Sequence, residues 1–176
     1  MSSATLRTHN SHDKLPEHRR AILSIPNEAF FATVKGFLEE NKSTWITVKG
    51  KSMIPFLDPG DHVLLQPFKG QKIPVGSILL AKIGSSYILH RMVNKKGNSI
   101  ILAGDGNLSS CEIIPISTIW AIAHWKKNKD GHLQNLNEVR WRISGLIWYH
   151  LRPLRSLFQF FNTRFSIIEH QNLKQP

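Results

Sequence analysis

The sequence predicts a mainly β domain, a coiled sheet or partial barrel, with one helix ahead of it and a basic amphipathic helical tail behind it. Three observations predict this. From Trp45 to about Trp125, short runs of Ile, Val and Leu are separated by Pro-Gly, Lys-Gly, Gly-Ser and Asp-Gly signals, the pattern of strands joined by tight turns. Before and after that stretch, apolar residues instead recur at every third or fourth position, the period of a helix. The chain has 176 residues, 41% of them hydrophobic, which is enough for one core without disulfides.

Taken in order, residues 1–26 are polar with scattered charge and read as a flexible N-terminal segment. Pro26-Asn27 reads as a helix entry, and Phe30, Phe31, Val34, Phe37 and Leu38 fall on one helical face, so the span 27–43 is assigned to an amphipathic helix. Residues 44–127 hold six expected strands: "WITVKG", "HVLLQPF", "SILLAKI", "SYILHRMV", "SIILAGD" and "STIWAIAHW". The fourth and fifth are joined by the short link "NKKGN", which places them side by side. Residues 128–176 open with a polar turn and then carry Ile143, Leu146, Ile147, Leu151, Leu154, Phe158, Phe161, Phe165 and Ile168 at helical spacing. Pro153 is expected to kink or split that helix.

Charge and cysteine usage narrow the function classes. Lys and Arg total 23 against 12 acidic residues, a formal charge of +11, which suggests an anionic partner. Five arginines and no acidic residue fall within 140–168. That tail either packs on the domain's own core or lies on an anionic membrane surface, with Trp148, Phe158 and Phe161 in lipid and the arginines at headgroups. No recognition helix or stacking surface argues for nucleic acid. The single cysteine, Cys111, excludes an internal disulfide and a multi-cysteine zinc site, and the histidines show no metal-ligand spacing, so no metal or cofactor is expected. The first twenty residues lack an export signal and no apolar run is long enough to span a bilayer. The expected location is cytoplasmic or peripheral to a membrane.

The chemistry resides in the β region. A serine hydroxyl needs a neighbouring base, and the base is best served by a group that orients it. Ser52 follows the first strand, His90 lies in the fourth and Asp105 ends the fifth, a nucleophile, base and orienting acid in that order. Each has a plainer reading as a strand-end serine, a strand histidine and a turn aspartate. Asp61, in Pro59-Gly60-Asp61, reads as a structural turn residue.

"GKSMIPFLDPGDHVLL", "VGSILLAKI", "YILHRMV" and "LAGDGN" resemble, in order and spacing, the signal peptidase I family and its LexA-type relatives. The resemblance implies the coiled sheet of that superfamily and a serine endopeptidase cutting a signal or leader peptide after small residues. It makes Ser52 the nucleophile, with Ser52-Met53 and Pro55 matching a Ser-Met-x-Pro motif, and Met53 and Pro55 lining the substrate cleft. It puts the general base at His90, as in the histidine-type enzymes, and Asp105 where an aspartate orients that base. Cys111 stands where those enzymes often carry a second aspartate, so Glu112 beside it is the alternative orienting acid. Gly50 occupies the position two before the nucleophile, leaving backbone N–H groups at Gly50 and Ser52 to hold the oxyanion. A self-cleaving regulator of LexA type and a non-catalytic peptide-binding module remain alternatives. A peptide or preprotein is the implied partner.

Overall fold

The computed structural model describes residues 27–160. The flexible segment expected over 1–26 lies outside the described residues, as do Phe161, Arg164, Phe165 and Ile168 of the tail.

Helix α1 spans Asn27–Glu39. It buries Val34 and Leu38 in the core and leaves Phe37 43% exposed, with Phe30 and Phe31 packed partly against the same core. Its end explains why it stops short of residue 43. Asn41 adopts left-handed backbone with φ of 63°, its N–H donates to the Leu38 carbonyl at 3.0 Å, and the Lys42 N–H donates to that of Phe37 at 2.8 Å. This Schellman arrangement satisfies the last carbonyls, and asparagine tolerates the left-handed turn it requires.

The six expected strands fold as β1 (Thr44–Thr47), β2 (His62–Pro67), β3 (Ile78–Ile83), β4 (Ser86–Lys96), β5 (Ser99–Ala103) and β7 (Ile119–Lys127). Two further strands, β6 (Glu112–Pro115) and β8 (Leu133–Asn135), were not expected. Their sequences, "EIIP" and "LQN", are too short to show alternation and the first contains a proline. All pairings are antiparallel, in the order β1-β2-β7-β3-β4-β5-β6 with β8 on β7. The sheet is open, with β1 and β6 at the ends of that order. Irregularities at Leu64/Leu65, Leu80/Ala81 and Met92/Asn94 interrupt the register, and such bulges bend strands and increase their twist.

Strand alternation divides the core in two. Ile78 and Leu80 of β3 join Val34, Met53, Leu57 and Val63 on one side, whereas Leu79 and Ala81 join Met92, Ile100 and Leu102 on the other. Burial on both faces is why β3 reads as a continuous apolar run rather than an alternating one.

Helix α2 spans Val139–His150. A turn at Leu151 follows, and residues 152–160 are helical again. The interruption falls two residues before Pro153, where the missing N–H and the ring's steric demand disrupt the ladder. The tail turns an unusual face inward. Gly145 and Arg152 are buried and Trp148 and Arg155 half-buried, while Ile147, Leu154 and Phe158 are 56%, 64% and 69% exposed.

Candidate active site

The turn that carries Ser52 is held from below. Val48, just after β1, donates its N–H to the Asp61 carbonyl at 2.8 Å and accepts the Gly60 N–H at 2.7 Å. Asp61 is buried; its carboxylate accepts the Asp58 N–H at 2.8 Å and pairs with Lys126 at 3.0 Å. Asp61 therefore braces the turn structurally. The chain from Lys51 then curls, with the Ile54 N–H on the Lys51 carbonyl at 3.2 Å and the Leu57 N–H on that of Met53 at 2.9 Å. Met53 and Leu57 are sunk into the core, which anchors the turn and leaves Ser52 half-buried above it.

Ser52 and His90 line the same cavity, of about 280 Å³. Its walls include Gly50 and Met53 from the serine turn, Phe30 and Phe31 from α1, and Tyr87 from β4. Phe31 stacks on Tyr87 with ring centroids 4.1 Å apart. Pro55, expected in the cleft, is exposed and absent from its lining. The curl that buries Met53 and Leu57 carries Pro55 away from the cavity. Among the described residues, the N–H groups of Gly50 and Ser52 donate to no protein acceptor.

His90 is buried in β4, and its Nδ1 lies 3.0 Å from Oε2 of Glu112 in β6. An ionised carboxylate only accepts, so Nδ1 is the donor, and in the neutral ring this tautomer has the lone pair on Nε2. Asp105, expected beside this ring, is bonded elsewhere. Its Oδ1 and Oδ2 accept from Arg91 Nε and Nη2 at 2.8 and 2.7 Å, and both side chains are 2% exposed.

Strand parity explains the exchange. Arg91 pairs with Ala103, and Asp105 lies two residues further on, so Asp105 shares Arg91's face of the sheet. Met92 pairs with Leu102 and Leu102 with Glu112, so Glu112 shares the opposite face, with Met92 and His90. Burial pushes the Asp105 carboxyl above its ordinary range, and the Arg91 guanidinium pulls it back down.

Asp105 and its neighbours clamp the serine turn instead. Gly106 donates its N–H to the Ser52 carbonyl at 2.7 Å. A Cβ at Gly104 would lie 2.7 Å from that same oxygen, and one at Gly106 2.9 Å from the Lys51 carbonyl. Only glycine permits this approach of backbone to backbone. Arg91 ties the clamp to its surroundings, donating also to the Gly76 carbonyl at 2.7 Å and lying 4.7 Å over the Phe56 ring. Gly145 of α2 fits against it, since a Cβ there would overlap the guanidinium.

The tail completes the arrangement. Trp148 Nε1 donates to the Asp105 carbonyl at 2.9 Å, Arg155 reaches the same oxygen at 3.2 Å, and Arg152 Nη2 donates to the Gly104 carbonyl at 3.0 Å. Arg152 also donates to Cys111 Sγ at 3.1 Å. Of the two readings of the tail, packing and membrane contact, Trp148, Arg152 and Arg155 follow the first and bond to the domain, where the Asp105 and Gly104 carbonyls accept from them. Sequence reasoning missed Arg91, Gly145 and these tail donors. The glycines flanking Asp105 and the arginine following His90 were the available signals.

An open antiparallel sheet places Ser52 and His90 on the wall of one cavity, with Glu112 bonded to His90 outside that lining; among the described residues no hydrogen bond joins Ser52 to His90. The chain belongs to the Peptidase S24-like family, whose family model matches residues 5–118. No curated protein matches the chain.

Proposed function

We propose that the protein is a serine endopeptidase similar to signal peptidase I, with Ser52 as nucleophile, His90 as general base and Glu112 as the acid that orients His90. The observation that carries this reading is the Glu112 contact at His90 Nδ1, 3.0 Å long, at the cavity that Ser52 also lines. It fixes the tautomer a base needs, with the lone pair on Nε2. Ser52 Oγ attacks the scissile carbonyl while Nε2 takes its proton, and the Gly50 and Ser52 N–H groups hold the oxyanion. His90 returns the proton to the departing amine, and water then releases the acyl group by the same route. The edge of β1, which no other described strand covers and which continues into Val48 and Lys49 along the cavity, suits an extended peptide added as a strand. Cleavage after small residues, in a signal or leader peptide, follows from the motif resemblance.

The test is a diverse peptide pool incubated with the protein, with new termini read by mass spectrometry beside a Ser52→Ala control. New ends after small residues that vanish in the variant support the reading; identical ends in both refute it. The family match reaching back to residue 5 favours one second reading, a self-cleaving regulator, for which the purified chain would shorten itself at one fixed bond.

A further inference from the structure

The tail helix is amphipathic in the reverse sense. Val139, Ile143, Ile147, Leu151, Leu154 and Phe158, spaced by three or four residues, all point away from the domain, with exposures from 38% to 69%. The opposite side is already committed, through Trp148, Arg152 and Arg155, to the Gly104 and Asp105 carbonyls, and through Gly145 to Arg91. Rolling the helix to hide its apolar stripe would break those bonds and bring leucines against the carbonyls of the clamp. The stripe is therefore held outward. A contiguous apolar face of this kind marks an interaction surface.

Charge selects the occupant. Residues 139–160 contain four arginines and no acidic residue, within a chain of net charge +11. Arg140 stands at the start of the stripe, its side chain 73% exposed and paired with Glu138 at 2.6 Å, so the complementarity rests on the net charge of the chain. Two copies meeting face to face would bring two strongly positive chains together, whereas an anionic lipid surface complements them. No helix among the described residues is long and apolar enough to cross a membrane, so the stripe suits a helix lying in the plane of the interface. We propose that the outer face of α2 and of residues 152–160 docks the protein on an anionic phospholipid bilayer, with Ile143, Ile147, Leu154 and Phe158 entering the acyl boundary. Arg152 and Arg155, which one of the two readings of the tail placed at headgroups, bond to the domain and hold the helix in register, leaving the net charge to provide the attraction.

The experiment is flotation of the full chain with vesicles of phosphatidylcholine alone and of phosphatidylcholine with phosphatidylglycerol, at low and high salt. The expected result is flotation with the anionic vesicles only, weakened by salt, and a loss of about tenfold or more in Ile143→Glu/Ile147→Glu. Both isoleucines are half exposed or more, so that variant should melt as the parent does. Ser52→Ala should float like the parent, which separates this proposal from the peptidase reading. Equal binding to both vesicle types, no binding to either, or undiminished flotation of the double variant overturns it. A dimer in sedimentation equilibrium that the double substitution converts to monomer also overturns it, assigning the face to a second copy.

Discussion

Exchanging Glu112 and Asp105 separately should divide catalysis from stability. In Glu112→Gln the carboxylate that faces His90 Nδ1 at 3.0 Å becomes a neutral amide. It can present its NH2 to Nδ1, which favours the wrong tautomer, and it no longer stabilises the imidazolium formed during proton transfer. A hydrogen bond to a charged group contributes about 1.5–3 kcal/mol, so kcat should fall about ten- to a hundredfold. The Glu112 side chain is 27% exposed, and the fold should tolerate the change with little loss of Tm. In Asp105→Asn the two bonds from Arg91, at 2.8 and 2.7 Å, lose their ionic partner while the guanidinium stays buried. Breaking such a pair costs about 3–5 kcal/mol, or roughly 10 °C in Tm for a chain of this size. The folded fraction should retain most of its kcat. The assay is kcat on a peptide identified from the pool, beside thermal melts of each variant. If Asp105→Asn abolishes turnover at an unchanged Tm while Glu112→Gln cleaves normally, the assignment of the orienting acid is wrong.

Further outcomes follow from the same contacts. Gly104→Ala places a Cβ 2.7 Å from the Ser52 carbonyl, and the strain should cost about 1–3 kcal/mol and lower kcat through displacement of the serine turn, measured by urea melts and peptide kinetics. Asp61→Ala removes the partner of Lys126, whose amine lies 3.0 Å away, and the acceptor of the Asp58 N–H; its urea midpoint should drop by the equivalent of about 2–4 kcal/mol. Burial depresses the His124 pKa below 6.5. The unfolded chain therefore takes up that proton first as pH falls, so this residue's contribution is intact above pH 6.5 and is lost progressively below it. Urea melts at pH 7.5 and at lower pH should show this slope, flattened in His124→Gln.

Much of the fold was legible in the residues. Alternation and turn dipeptides marked six strands, and a left-handed asparagine sufficed to end α1, although its placement at Asn41 needed the backbone. The serine turn and His90 were found because their motif is local, a short run around one turn and one strand. Glu112 was visible only as an alternative, since its strand is four residues long and shows no period of its own.

What the sequence by itself determined is the inventory: a β domain between helical segments, a serine in the turn after one strand and a histidine within another, two candidate acids, and a tail of mixed arginine and apolar character. What only the tertiary structure decided is which acid meets the histidine and which side of the tail meets the domain. The first depends on cross-strand register, where one residue of parity moves a carboxylate to the other face of the sheet. The second depends on the partner, because a helix packs its apolar stripe inward only if the opposing surface is apolar. Here the opposing surface is a turn that presents the Gly104 and Asp105 carbonyls, and arginine and tryptophan N–H groups satisfy them better than leucine can.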